Sequence, residues 1–541
     1  MKGAKFYGKR NYRIVFLRVV LSILTLTLIF RLFYIQVIKG DFYSQKAVEQ
    51  KIRSFKILER RGEIYDRNMI PFTDREYKEY IFAIPKMLTD KEKAAKVISE
   101  IAAVNCEDVL KSLKSAKDYV EYEVKFNSNN KLPIGIFKLA LPQRYSQNSL
   151  ARHVIGYVGE KKMGLEDTFN EILNSKREDS IAVFTDGNNT DYIKGLGVRL
   201  KTSGKEVLGV KTTLDYHIQK AVENVLDKNM VDGAAVVLDI KTGDILAMAS
   251  RPNFDQNNIQ AYLNSSNEEF INKAVSMYPP GSIFKIVIAA AALEYNKVNL
   301  QDTFYCSGSY DINGIVFHDY KGESHGVINM VKGFAVSCNT TFIKIGQITG
   351  AKNILEMARK FGIESDDGLP IPEQIGRLPK LSDTYGAGIG NLSIGQGDVL
   401  MTPLQAADIA ATIANNGVRN VPRLVTAIVD EEGKEIEKLS QKKSYRVISE
   451  KTAKILKGMM REVVIDPEGT GKRAETTYGS AGKTGSAEVS KELNIYHAWF
   501  TGFVPFDKPK YAISIFVKNG DTGGTKAAPL FKEIAEEIMK Y

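Results

Sequence analysis

Residues Ile14 to Ile38 constrain this chain more than any other segment. They form an apolar stretch interrupted by Arg18 and Arg31. The run between the two arginines, Val19 to Phe30, is polar only at Ser22, Thr25 and Thr27. A helix over the whole stretch is about 37 Å long, enough to cross a bilayer. Each arginine can snorkel toward its own interface. Lys2, Lys5, Lys9, Arg10 and Arg13 precede the stretch. Positive charge on that side makes residues 1–13 a cytoplasmic tail, residues 14–38 a transmembrane anchor, and everything after about residue 39 extracytoplasmic. A cleaved signal peptide fits poorly, because Arg31-Leu32-Phe33-Tyr34 is bulky and offers no small-x-small site. The expectation is an uncleaved, single-pass anchor, with no later segment able to span.

The rest of the chain has room for two or three folded units, given 541 residues and about 100–200 per domain. Hydrophobic residues at 44% and charged residues at 26% are an ordinary globular balance, which excludes general disorder. A net charge of +10 suits nucleic acid, an anionic membrane or an anionic polymer. There is no zinc-finger spacing and no aromatic RNA-binding signature, so the membrane segment decides for the cell envelope and against nucleic acid. Cys106, Cys306 and Cys338 are too few for a disulfide framework. They read as free or buried thiols, with a Cys306–Cys338 bridge left open.

The texture changes near residue 206. From 39 to 205 the chain is mixed and polar, with a helical stretch from Asp90 to Ala102, a strand-like run from Ile81 to Pro85 and a loop-like tract from Lys125 to Lys131. Beyond it, Lys211 to Asp227 reads as a strand end and an amphipathic helix. Ala234 to Asp239 and Asp244 to Ala249 read as strands around the turn Lys241-Thr242-Gly243. An apolar helix follows at Ile283 to Leu293. The tail supplies strands at Ala498 to Phe503 and Ala512 to Val517 and a helix from Pro529 to Met539. Strands at both ends with helices between predict an α+β sheet whose terminal segments pair in space.

Three patterns carry the candidate chemistry: S-x-x-K at Ser282–Lys285, S-x-N at Ser337–Asn339, and K-T-G at Lys483-Thr484-Gly485. Each alone is weak. S-x-x-K recurs at Ser128–Lys131, Ser440–Lys443 and Ser480–Lys483, S-x-N at Ser128, Ser146 and Ser265, and K-T-G at Lys241. Context selects Ser282. Pro279-Pro280-Gly281 forces a turn before it, and an apolar helix begins after it. Backbone N–H groups at a helix start favour a developing oxyanion. Lys285 shares the face of Ser282. Its ammonium normally titrates near 10.4, but burial and a second cation would lower that value, so that a neutral amine can take the serine proton. Asn339 can hold Lys285 and a substrate amide, and the Ser337 hydroxyl can relay a proton. Gly485 permits close approach of a substrate to the backbone, while Lys483 and the hydroxyls of Thr484 and Ser486 make a carboxylate pocket. Lys241-Thr242-Gly243 sits at a hairpin tip, where turn chemistry explains it. Cys338 as nucleophile lacks a His–acid partnership.

With these residues placed, the chain resembles class B penicillin-binding proteins. Arg61-Gly62-Glu63-Ile64-Tyr65-Asp66-Arg67-Asn68 looks like the first N-terminal box of that class. Tyr278-Pro279-Pro280-Gly281, Gly395-Gln396-Gly397 and Thr402-Pro403-Leu404-Gln405 are also family-like, and Met69 departs from the pattern where the box usually has Gly. The resemblance implies a non-catalytic pedestal over 39–205 and a transpeptidase domain of the penicillin-binding, serine β-lactamase-like fold over 206–541. It implies cross-linking of peptidoglycan stem peptides ending in D-Ala-D-Ala through an acyl-enzyme on Ser282, which β-lactams would intercept. Lys285 would be the base, Ser337 the proton shuttle and Asn339 the orienter. Lys483, Thr484, Gly485 and Ser486 would hold substrate, and the N–H groups of Ser282 and Ser486 would form the oxyanion hole. The resemblance also implies a bacterial cell-membrane location and a glycan-polymerising membrane partner.

No cofactor and no metal are expected, since the five histidines show no H-E-x-x-H spacing. His325 reads as a loop residue and His497 as a strand edge. Two other readings share the motifs: a D,D-carboxypeptidase or β-lactamase on the same scaffold, and a non-catalytic β-lactam sensor or scaffold.

Overall fold

The computed structural model describes residues 4–43, 46, 52–126, 132–159, 163–174, 177–184, 198–204, 206–490 and 495–541. The S-x-x-K and S-x-N patterns at Ser128 and most of the Lys125 to Lys131 tract lie outside them.

A helix covers Ala4–Phe33 and continues as one wider turn, Tyr34–Ile38. Its segment Tyr12–Ile38 is long and apolar enough to cross a membrane, and none of it is buried against protein. The hydroxyls of Thr25 and Thr27 donate back to the carbonyls of Leu21 and Ile23, 2.8 Å each, so these polar residues are satisfied inside the helix and do not oppose a lipid setting. Among the described residues no other helix meets the same criteria.

Two compact units divide the chain, and both are discontinuous in sequence. The first comprises Met1–Arg60, Tyr77–Leu141 and Lys176–Lys205. It holds an antiparallel sheet in which Arg177–Phe184 lies between Ile52–Arg60 and Val198–Ser203. A second sheet places Glu76–Ala83 between Val120–Glu123 and Ile136–Gln143. Two helices, Lys91–Ala102 and Cys106–Ser115, bury Ala94, Ile98, Val109 and Leu113 against Ile81 and Ile136. Asp90 caps the first helix by accepting from the N–H groups of Glu92 and Lys93.

The second unit is Arg61–Glu76, Pro142–Ser175 and Glu206–Tyr541. Residues 61–76 and 142–175, which composition groups with the segment 39–205, thus fold with 206–541. The reason is visible in the N-terminal box. Ile64–Tyr65 adds a parallel strand beside Gly209–Thr212, in a sheet continued by Val425–Val429 and Glu435–Lys438. Arg61 and Arg144 both pair with the fully buried Glu166, at 2.6 and 2.7 Å. Two arginines on one buried carboxylate tie the three segments together, and loss of either would leave charge uncompensated. Met69 takes a left-handed φ of +66°, which explains why glycine is the usual residue there.

At the centre of this unit is a five-stranded antiparallel sheet. Its strands are Gly233–Asp239 (β1), Ile245–Arg251 (β2), Ala481–Ser490 (β3), Ile495–Val504 (β4) and Tyr511–Val517 (β5), in spatial order β2-β1-β5-β4-β3. The expected pairing of terminal segments is present, since β5 lies against β1. Side chains alternate between the faces. Ala235, Val237, Ile513 and Ile515 pack under the helices Tyr216–Lys228 (α1) and, at the far end of the chain, Ala528–Ile538. Ala234, Val236, Trp499 and Phe516 face a larger core built by Lys285–Glu294 (α2), Asn339–Thr349 (α3) and Pro403–Ala414 (α4). All ten residues of β4 lie inside the sheet, so His497 is an interior residue and not the strand edge its sequence context suggests.

Candidate active site

Ser282 lies in a tight 3-10 turn, Gly281–Phe284, that runs directly into α2. Pro279 and Pro280 cannot donate N–H groups, which prevents a regular helix from starting earlier. Gly281 turns the chain with φ +54°. A Cβ on it would come within 3.0 Å of the Ser486 carbonyl oxygen, and a Cβ on Gly485 within 2.8 Å of the Pro280 oxygen. The seam between the Ser282 turn and β3 therefore closes only with glycine on both sides.

Lys285 is fully buried one turn beyond Ser282. Its Nζ donates to the Ser337 carbonyl at 2.6 Å and to Asn339 Oδ1 at 2.7 Å, with the Ser337 hydroxyl at 3.3 Å. A neutral amine keeps two N–H donors for the two short contacts and retains a lone pair. Ser337 itself occupies the single-turn link between the helix Met330–Ala335 and α3, with a left-handed φ of +58°. Such a backbone in a non-glycine residue costs about 1–3 kcal/mol, and the surrounding bonds hold it. Lys483, also fully buried, reaches the same hydroxyl from β3 at 2.9 Å. Ser337 Oγ is thus shared by two amines from opposite walls.

That arrangement sets the electrostatics. Burial pushes Lys285 down to about 8, with Cys338 and Asp319 opposing the shift. Lys483 is held well below its ordinary range, first by burial and then by Lys285. Two ammonium groups on one hydroxyl in a dry site repel strongly, so the pair favours sharing one proton over holding two.

Thr484 is buried and shares a 2.6 Å hydrogen bond with Thr470. Ser486 is half-buried and its Oγ accepts from the Gly523 N–H at 3.1 Å, leaving its own hydrogen free to donate. Asn339 is half-buried, and its Nδ2 donates to the His318 carbonyl at 2.9 Å. The structure thus joins Lys285, Ser337, Asn339 and Lys483 by direct hydrogen bonds and brings Gly485 and Ser486 against the Ser282 turn. The other patterns stay apart from this cluster: Lys241-Thr242-Gly243 is a hairpin turn whose N–H groups are capped by Asp239, and Ser480 is buried with its hydroxyl on the Ala474 carbonyl.

Sequence reasoning missed Asp319. Its buried carboxylate accepts the N–H groups of Asn339 and Thr340 and so anchors the start of α3. It also missed a cluster around that carboxylate. Cys306, Asp319, His325 and Cys338 place one ligand atom each within 4.8 Å of one another. Cys306 Sγ lies 3.3 Å from both Asp319 Oδ2 and His325 Nδ1. Two thiols, an imidazole and a carboxylate make the donor set and number that four-coordinate Zn²⁺ takes. The expectation of no metal rested on the lack of H-E-x-x-H, whereas these donors come from separate loops that only the fold assembles. The Cys338 thiol is pushed up to about 11 by burial and Asp319, the opposite of an activated nucleophile.

The transpeptidase family model, "Penicillin binding protein transpeptidase domain", matches residues 233–536. The penicillin-binding protein PbpB of Mycolicibacterium smegmatis is 32% identical, over 83% of this chain and 74% of its own length. The chain belongs to the class B penicillin-binding proteins. The peptidoglycan D,D-transpeptidase MrdA of Acinetobacter baumannii is 29% identical, over 98% of this class B protein and 88% of its own length. Penicillin-binding protein A from M. tuberculosis, solved as a penicillin G acyl-enzyme complex, is 27% identical with a TM-score of 0.62, over 77% of this chain and 96% of its own. The matched segment of this penicillin-binding protein contains the Ser282, Ser337 and Lys483 motifs and the whole five-stranded sheet.

Proposed function

We propose that this protein is a peptidoglycan D,D-transpeptidase that forms an acyl-enzyme on Ser282. The observation that carries the reading is the Lys285–Ser337–Lys483 relay beside the Ser282 turn. Relatives named as D,D-transpeptidases and a neighbour solved as a penicillin acyl-enzyme support it.

The donor is a stem peptide ending in D-Ala-D-Ala. Its terminal carboxylate meets the hydroxyls of Thr484 and Ser486 and draws the shared proton toward Lys483 through the Ser337 hydroxyl. Lys285 is left neutral and takes the Ser282 proton as Oγ attacks the penultimate carbonyl. The tetrahedral oxyanion lies against the N–H groups of Ser282 and Ser486, each worth about 3–4 kcal/mol in comparable sites. Collapse expels D-Ala, which takes the proton from Lys285 by way of Ser337. Asn339 orients Lys285 and the substrate amide. An amine from a neighbouring stem then attacks the ester, losing a proton to the same relay, and frees Ser282. β-Lactams enter as mimics of the D-Ala-D-Ala end.

The N-terminal helix serves as a single-pass anchor in the cell membrane, with the catalytic unit on the extracytoplasmic side. The unit built from Tyr77–Leu141 and its flanking segments acts as pedestal, and a glycan-polymerising membrane protein supplies the strands to be joined.

Labelling of the full-length protein with a fluorescent penicillin tests the reading. Ser282→Ala is expected to abolish the labelled band, while Ser440→Ala leaves it unchanged. A band that survives Ser282→Ala puts the nucleophile elsewhere. Continuous turnover of the penicillin, in place of one equivalent of label, would favour a β-lactamase.

A further inference from the structure

We propose that Trp499 is a positioning residue for the nucleophile, holding the Tyr278–Ser282 turn against β3 through its indole N–H and a stack of aromatic rings. The inference rests on Ser282 being the attacking residue.

Trp499 is the one tryptophan in the chain and is completely buried. On β4 it pairs with Gly485 of β3 on one side and with Phe516 of β5 on the other. Its Nε1–H donates to the Pro279 carbonyl at 3.0 Å. The indole tilts over Phe516 with ring centres 4.6 Å apart, and Phe516 stacks on Tyr278 at 4.2 Å. His497, two residues earlier on the same face of β4, meets Tyr278 and Phe516 edge-on at 5.7 and 5.2 Å. Burial pushes its imidazole down to about 4, so the stack carries no charge at neutral pH.

The turn needs this external support because of its composition. Pro279 and Pro280 supply no N–H with which the segment could brace itself. Its backbone is held from outside at three places. Tyr278 exchanges two bonds with Met401, at 2.8 and 2.9 Å, and the Gly281 N–H donates to the Gly395 carbonyl at 3.0 Å. The indole holds Pro279, between those two. Filling the same space needs only an apolar ring, whereas fixing the Pro279 carbonyl needs a donor at that spot. A carbonyl released there turns toward another partner, and the amide of Ser282 turns with the peptide units that follow.

An isosteric substitution separates positioning from packing. 3-Benzothienylalanine at position 499 of the full-length protein keeps the shape of the indole and replaces N–H by sulfur. The second-order rate of acylation by fluorescent penicillin is expected to fall about ten- to a hundredfold, the loss that a sub-ångström to 1 Å displacement of a reacting group produces. Labelling at saturation should still reach one equivalent, with Tm within about 2 °C of wild type. Trp499→Phe should show the same rate loss. An unchanged rate in the isostere overturns the proposal, and so does a rate loss matched by a large fall in Tm. The wild-type tryptophan emission should change with the time course of labelling, and an emission unmoved at full acylation also counts against it. Labelling that persists in Ser282→Ala would instead remove the nucleophile assignment, an outcome none of the Trp499 variants can imitate.

Discussion

The Lys285 amine gives the sharpest quantitative test of the proposed mechanism. Burial holds it at about 8, against about 10.4 for a free lysine. At pH 7 an amine with a value near 8 is about one-tenth neutral, whereas one at 10.4 is neutral in about one molecule in 2,500. Burial thus raises the population of the basic form about 250-fold, equivalent to about 3 kcal/mol of barrier. The perturbation is pH itself. Only the neutral form accepts a proton, so the second-order acylation rate of the free enzyme should rise about tenfold per pH unit below 8 and level off above it. Stopped-flow acylation with a chromogenic or fluorescent penicillin between pH 5.5 and 9.5 measures this directly. Lys285→Arg, which keeps charge but cannot lose it at these pH values, should flatten the profile at a rate lower by about 10³ or more. A wild-type rate independent of pH from 6 to 9, or one still rising as steeply at 9.5, would refute the assignment of Lys285 as the base.

Gly281→Ala should lower stability by about 1–2 kcal/mol, because alanine is strained at φ +54° and its methyl would press on the Ser486 carbonyl. Its acylation rate should fall as well, and wild-type values of both Tm and rate would contradict the seam described above. Met69→Gly should leave stability unchanged or raise it by up to about 1 kcal/mol, since relief of left-handed strain outweighs the added freedom of the unfolded chain. Denaturant titration measures the change, and a clear loss would mean that contacts of the Met69 side chain dominate. Zn²⁺ added to chelator-stripped protein should raise Tm by about 5 °C or more, and Cys306→Ala or His325→Ala should remove most of that gain. A Tm indifferent to metal would leave the four donors as an ordinary buried cluster.

The fold was legible wherever one strong local pattern was enough. The anchor declares itself by length and apolarity. The two hairpin strands around Lys241-Thr242-Gly243 follow from alternation and a turn glycine, and the apolar run after Ser282 reads directly as α2. Long-range placement was not legible. Nothing local in Ile64–Tyr65 says that it pairs with Gly209–Thr212, because two residues carry no pattern, so the membership of 61–76 and 142–175 in the second unit emerges only from the fold. At the site, the motif types announced which side chains matter, while their mutual contact depended on the φ of Ser337 and on glycines 281 and 485. Asp319, Thr470 and Trp499 had no motif to mark them. Their contributions are single hydrogen bonds to groups 14 to 220 residues away in sequence.

The order of strands across the central sheet bears on how the protein is made. β5 bridges the early hairpin to the reactive pair β4 and β3, yet it is the last strand to be synthesised. A nascent chain halted before Tyr511 owns every motif residue but has nothing to weld its two halves together. Catalytic competence therefore arrives late and all at once, after the tail has crossed the membrane, which spares the cell an enzyme that acts while still half exported.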